Sequence, residues 1–243
     1  MWRVRSIMVL LMLYFFWSAV FSHSDSVFGY SKQLMLTYIL GSSVLRALVL
    51  SSRSIDISAE ISTGDLSSYL LKPLNYLHYW FVRDLADKFL NILFVVLELG
   101  IIVWLFKPPL FFSLEIEKCM AFLIASFLAM PLFFYLSLLI SMTTFWYAEH
   151  TGWPARFLFQ LVLEFIAGGL FPLDILPKPA FLIAKFLPTT YLLFFPLQVW
   201  LGRIQGIGFF VGIGIMVAWI LILGKLTGFV WKKGLKTYEA YGQ

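Results

Sequence analysis

Residues 55–75 read Ile-Asp-Ile-Ser-Ala-Glu-Ile-Ser-Thr-Gly-Asp-Leu-Ser-Ser-Tyr-Leu-Leu-Lys-Pro-Leu-Asn, and almost everything around them is apolar. The stretch alternates charge, hydroxyl and leucine, with a break expected at Gly64. Beyond that break Leu66, Leu70, Leu71 and Leu74 recur at helical spacing and share one face. Asp65, Ser67, Ser68 and Lys72 take the other. Thr63 is placed to accept the first free N–H groups of this short helix, and Asp65 suits its positive end. Pro73 stops it, because proline cannot donate to the preceding turn. Such an amphipathic helix lies on a membrane surface or docks in a partner's groove, and it is too short to span.

The rest of the chain says which solvent surrounds that segment. Hydrophobic residues make up 61% of the sequence and charged ones only 13%, and the mean hydropathy is +0.89. A soluble domain is nearer half apolar and a quarter charged. The fold class is therefore an all-α integral membrane protein. Its 243 residues suffice for six helices of about 20 residues each, the length that crosses a bilayer. The formal net charge of +5 has a ready source in the Lys and Arg of cytoplasmic loops, so no nucleic-acid partner is needed to explain it. The single cysteine, Cys119, excludes an internal disulfide and reads as a small apolar residue in a span.

In chain order, the first apolar run covers 4–22, behind Arg3 and Arg5. It is long for the apolar core of a signal peptide, and no clean small-x-small cleavage site follows. The second span, 32–50, carries Arg46. The amphipathic region extends over 51–88 and ends in the aromatic and charged run Tyr79, Trp80, Arg83, Asp84, Asp87 and Lys88. The third span is expected at 89–106, with Glu98 inside, closed by Lys107-Pro108-Pro109. The fourth covers 119–147 with Pro131 within it, and the fifth 156–171 with Glu164. Between them lies the turn containing Glu149 and His150. Residues 172–203 remain apolar but are broken by Pro172, Pro177, Pro179, Pro188 and Pro196, the pattern of re-entrant or interfacial helices. The last span is 207–230, anchored by Trp231, Lys232 and Lys233. With a cytoplasmic N-terminus, eleven of the 18 Lys and Arg fall inside and six outside, and Arg46 lies within a span. That bias places both termini, the amphipathic segment and the Glu149–His150 turn in the cytoplasm, and the proline-broken region outside.

No enzyme site stands out. A Walker-type phosphate loop is absent from the sequence, so the chain has no such nucleotide site of its own. His23, His78 and His150 are far apart and near span ends, a poor basis for a metal site. The spacings Gly208–Gly212 and Gly224–Gly228 suggest close helix packing, as does the stripe Ala121, Ala125, Ala129, Ser137 and Ser141. Arg46, Glu98 and Glu164 lie inside spans, where a charge usually faces a partner or a wet cavity. They could line a polar path, or form a structural pair.

Three blocks of residues resemble the permease subunits of ABC-2 type transporters, in particular a six-span bacterial group. The first is Ile61-x-x-Gly64-x-Leu66-x-x-x-Leu70-Leu71-Lys72-Pro73-Leu74-Asn75. The second is Phe171-Pro172-Leu173 through Leu176-Pro177, Leu187-Pro188 and Phe195-Pro196-Leu197 to Leu201-Gly202. The third is Trp231-x-x-Gly234-Leu235-x-x-Tyr238-x-x-x-Gly242. The family pattern usually places an amphipathic helix ahead of the first span, whereas here the first apolar run starts at residue 4. The resemblance implies a single permease domain of the ABC-2 exporter type over residues 1–243. It would bind no cofactor itself, with ATP and Mg held by a separate ABC ATPase subunit. It also implies a second permease subunit, as a homodimer or a related heteromer, in a bacterial cytoplasmic membrane. Gly64, Leu66, Leu70, Leu71, Lys72 and Pro73 would then form the main ATPase-coupling contact, and Glu149 and His150 a second. A competing class is a secondary transporter driven by an ion gradient through Arg46, Glu98 and Glu164. Against it, the two halves show no inverted repeat and no matching broken helices.

Overall fold

A computed structural model describes residues 2–111, 115–147 and 153–238, without the side chains of 2–5, 55 and 153–156. Helix α1 spans Trp2–Val20 and leads to a minimal hairpin of β1, Ser26–Val27, and β2, Tyr30–Ser31. Phe28 and Gly29 make the turn with positive φ of 54° and 76°, the arrangement that two-residue hairpins require. Ser31 caps α2 (Lys32–Leu45), its side chain accepting from the Leu34 N–H. The helix then widens into one π-helical turn, Arg46–Leu50.

The amphipathic segment becomes two short helices, α3 (Ser54–Ser62) and α4 (Leu66–Leu70), separated at Gly64. Gly64 has φ +85°, a left-handed conformation that glycine adopts without steric cost. Thr63 does not cap α4. Its hydroxyl lies 2.9 Å from the Ala59 carbonyl and 2.7 Å from Asp65 Oδ2 and shares its one proton between them, so the local side-chain bonds close the end of α3 instead.

Helix α5 runs unbroken from Tyr76 to Phe106. At 1.5 Å per residue its 31 residues extend about 46 Å, well beyond a hydrocarbon core of about 30 Å. Residues 76–88, assigned from the sequence to the amphipathic region, are thus the first turns of the third long helix. Asn75 starts it, accepting from the His78 N–H at 3.1 Å, so the final residue of the Lys-Pro-Leu-Asn run is an N-cap.

Helix α6 (Ile116–Ser141) continues as a 3-10 turn to Phe145, and α7 covers Trp153–Ile166. Helices α8 (Lys178–Ala184) and α9 (Phe194–Trp200) lie in the proline-broken region. The stretches 178–184 and 188–200 meet at a bend of 78°. Helix α10 spans Ile207–Thr237. Among the described residues, four helical stretches are long and apolar enough to cross a membrane, at 32–50, 76–106, 116–145 and 207–237, or five if the bent pair counts as one; residues 6–20 of α1 and 157–166 of α7 are shorter apolar stretches.

α6 is the central post, packed on α10, α9 and α3. Ala125, Ala129, Ser126, Ser137 and Ser141 are buried on it, and small side chains let neighbouring backbones come close. Gly212 on α10 answers the same need, since a Cβ there would lie 2.1 Å from the Phe195 ring. Gly228 faces open space and Gly224 leaves an ordinary 3.5 Å to Tyr135. The second glycine spacing therefore marks no close contact.

Candidate coupling surface and polar cavity

One end of the bundle is a platform of aromatic and branched side chains. Ile57 and Ile61 of α3, Leu66 of α4, and Tyr76 and Trp80 of α5 are buried against Phe134, Leu138, Met142 and Phe145. Trp231 of α10 stacks on Tyr76, with ring centroids 5.0 Å apart and 13° between planes. The Tyr238 hydroxyl donates to the Gly64 carbonyl at 2.8 Å. A Cβ on Gly234 would sit 2.2 Å from Phe145. Residues 61–75 and 231–238 are remote in sequence and adjacent in space.

Of the six residues singled out from the first block, the platform uses two internally. Leu66 is fully buried and Gly64 makes the turn. Leu70, Leu71, Lys72 and Pro73 are exposed, as are Leu74 and Asn75. Leu71 is 88% exposed, and Lys72 Nζ lies 4.5 Å over the Tyr69 ring. The four leucines thus do not act as one buried face. α4 is a single helical turn and then stops, so only its first leucine reaches the core. Glu149 and His150 lie outside the described residues.

Behind the platform, the loop joining α2 to α3 is clamped onto α5 by Asp84 and Lys88. Both are buried, at 1% and 2% side-chain exposure, with Lys88 Nζ 3.1 Å from Asp84 Oδ2. Lys88 Nζ also donates to the Val49 carbonyl at 3.0 Å and to the Ser51 carbonyl. Asp84 Oδ1 accepts the Arg53 N–H at 3.3 Å, and Asp87 accepts from Arg53 Nε at 2.8 Å. The hydrogen bond to Asp87 raises the Arg53 guanidinium further above its ordinary value. The π turn ends in carbonyls without helical partners, and Lys88 supplies what they lack. Sequence reading placed Asp84 and Lys88 in an interfacial run and missed the clamp. The available signal was an acid and a base at i and i+4 on one helix face.

Deeper in the bundle, Arg46, Glu98 and Glu164 line one cavity of about 80 Å³. Ser6, Val9 and Leu10 of α1 contribute to its wall, with Ser43, Ala47, Leu50 and Ser51 around the π turn, Asn91 and Val95 of α5, and Gln160 of α7. Arg46 lies nearer Glu164, at 3.7 Å, and donates to the Gly169 carbonyl. Tyr38 donates to the neighbouring Gly168 carbonyl at 2.6 Å. Together they hold the open C-terminal end of α7 against α2. The carboxamides of Asn91 and Gln160 were not anticipated, because uncharged polar residues in an apolar run give no comparable signal.

At the opposite end, Tyr30 of β2 donates to the Asp174 carboxylate at 2.8 Å. Gln198 Nε2 donates to the Tyr30 hydroxyl at 2.5 Å. Arg203 lies 3.4 Å from Asp174 and stacks over the Tyr30 ring. Burial, together with the adjacent carboxylate, raises the Tyr30 phenol well above its ordinary value, so it stays a donor. No group of three or more His, Cys, Asp or Glu side chains among the described residues could hold a metal ion.

Long apolar helices around a small-residue post, with charges gathered in one internal cavity, define a multi-pass α-helical membrane protein. The family model described as ABC-2 family transporter protein matches residues 7–242. The chain belongs to that family and is a transmembrane permease of the ABC transporter class. The family in general associates with an ABC ATPase. No curated protein and no solved structure matches the chain.

Proposed function

We propose that this chain is the membrane-spanning subunit of an ABC exporter, driven by ATP and Mg bound to a separate ATPase subunit. Six spans cross a bacterial cytoplasmic membrane: α1, α2 with its π turn, α5, α6, α7 and α10. Both termini and the platform face the cytoplasm, and α8 and α9 form the external re-entrant region. A second permease subunit, identical or related, completes the pathway. The platform is the observation that carries this reading. It presents Leu70, Leu71, Lys72, Pro73 and Leu74 to solvent on a rigid base, which suits docking to a partner's groove. Glu149 and His150 form a second, smaller contact. The clamp at Asp84 and Lys88 ties the docking segment to the end of the second span, so a push on α4 reaches α2 and α5. Family membership does not favour the gradient-driven alternative.

The test is affinity purification from native membranes in mild detergents, with mass spectrometry of what accompanies the chain. An ABC ATPase is expected. It should be lost from a Leu70→Glu, Leu71→Glu variant that still extracts as a folded protein. A stable complex lacking an ATPase in several detergents overturns the proposal. Leu66 is unsuitable for this test, because it is fully buried and its substitution would disturb the platform itself.

A further inference from the structure

The cavity lined by Arg46 and Glu164 has unused capacity of both signs. Arg46 Nε is buried and has no hydrogen-bond partner. The Glu164 carboxylate has only the guanidinium 3.7 Å away, longer than a charge-assisted hydrogen bond of about 2.7–2.9 Å, and accepts no hydrogen bond among the described residues. A polar group buried without a partner is costly, more so at membrane depth where no bulk water substitutes. The space beside the pair, about 80 Å³, has room for several waters or a small polar group. Asn91 and Gln160 add carboxamides that donate and accept, and Val9, Leu50 and Val95 supply an apolar wall.

We infer that this cavity binds the zwitterionic end of an amphiphile, an ammonium beside Glu164 and a phosphate or carboxylate beside Arg46, with the apolar part along Val9, Leu50 and Val95. Glu98, the third charge of the wall, has an interaction of its own, so the open capacity is that of Arg46 and Glu164, and a purely cationic or purely anionic head would satisfy one of these two and leave the other unmatched. A neutral head would satisfy neither charge fully. The inference rests on reading the chain as a permease, and it names the class of molecule carried.

The experiment measures binding to the purified chain in nanodiscs, with or without its ATPase, so its result does not depend on the assignment of the partner. The probes are lysophosphatidylethanolamine, lysophosphatidylglycerol, a monoacylglycerol, an alkyltrimethylammonium and free phosphoethanolamine. Lysophosphatidylethanolamine should bind at least about tenfold tighter than each of the others, a difference of about 1.4 kcal/mol. Weak binding of free phosphoethanolamine shows that the apolar wall contributes. Equal or tighter binding of it would point to a soluble zwitterion and overturn the amphiphile. Glu164→Gln should abolish the preference over lysophosphatidylglycerol, and Arg46→Gln the preference over the alkyltrimethylammonium. Gln160→Leu, which touches neither charge, serves if Arg46→Gln fails to fold, and should weaken zwitterion binding severalfold. Equal affinity for all probes or no binding of any would mean the cavity holds water only, and a preference that survives Glu164→Gln would mean the zwitterion is recognised elsewhere; each result overturns the inference.

Discussion

Replacing Lys88 by methionine tests the clamp that joins the docking segment to the second span. The substitution keeps the length of the side chain and removes its charge and donors. Asp84 would then sit at 1% exposure without its cation, and the Val49 and Ser51 carbonyls would lose their donor. Breaking a buried pair from one side costs about 3–5 kcal/mol, because it strands an uncompensated charge. At 1.4 kcal/mol per tenfold, that lowers the folding equilibrium by a factor of roughly 10² to 4 × 10³. The double variant Asp84→Asn, Lys88→Met strands no charge and should recover most of the loss, since replacing both members of a buried pair is often near neutral. The assay is denaturant unfolding in nanodiscs, followed by tryptophan fluorescence with Trp80 near the site. A Lys88→Met penalty under about 1 kcal/mol, or a double variant no better than the single, would refute the view that burial makes the pair interdependent. In the assembled transporter, the double variant should retain ATPase docking but show weaker coupling of hydrolysis to transport.

Other substitutions separate close contacts from incidental ones. Gly212→Ala and Gly234→Ala should each cost about 1–3 kcal/mol by overpacking, because the new methyl meets Phe195 or Phe145. Gly228→Ala should be neutral or slightly stabilising in the same unfolding assay, because nothing lies within 4 Å. Tyr238→Phe removes the bond to the Gly64 carbonyl and should cost about 0.5–1.5 kcal/mol, with faster hydrogen exchange or proteolysis at residues 62–66. Tyr30→Phe should loosen β2 from α9, raising proteolysis near residues 172–176 without affecting ATPase recovery. Between pH 6 and 9 wild-type protease resistance there should not change on account of Tyr30. Its raised value in the folded state means that its contribution is complete below the ordinary phenol pKa and fades only above it.

The family was legible because its three blocks are local patterns. A helix-stopping Lys-Pro, an N-capping Asn75 and a left-handed Gly64 are set by backbone chemistry within a few residues. Their purpose was not legible. Tyr238 and Gly234 look like a tail motif until Tyr238 is seen bonded to the Gly64 turn and Gly234 pressed against Phe145. The amphipathic reading of Leu66, Leu70, Leu71 and Leu74 assumed a helix long enough to have a face. α4 ends at Leu70, so the local break outweighs the periodicity.

By itself the sequence determined a membrane-embedded helical chain, because a composition so apolar cannot be solvated by water, and backbone polar groups in lipid must then be satisfied within helices. It also placed the break at Gly64, though not the start of α5, which lies at Tyr76 and not at residue 89. Only the tertiary structure decided which charges meet. Arg46 could face Glu98 or Glu164, and it lies in one cavity with both but nearest Glu164. Asp84 and Lys88 could have been surface residues, and they are buried on the unwound end of the preceding span. The partner of Arg46 and the burial of the Asp84–Lys88 pair are both set by how helices pack across the bundle, and that packing follows from contacts between residues tens of positions apart, which no local pattern encodes.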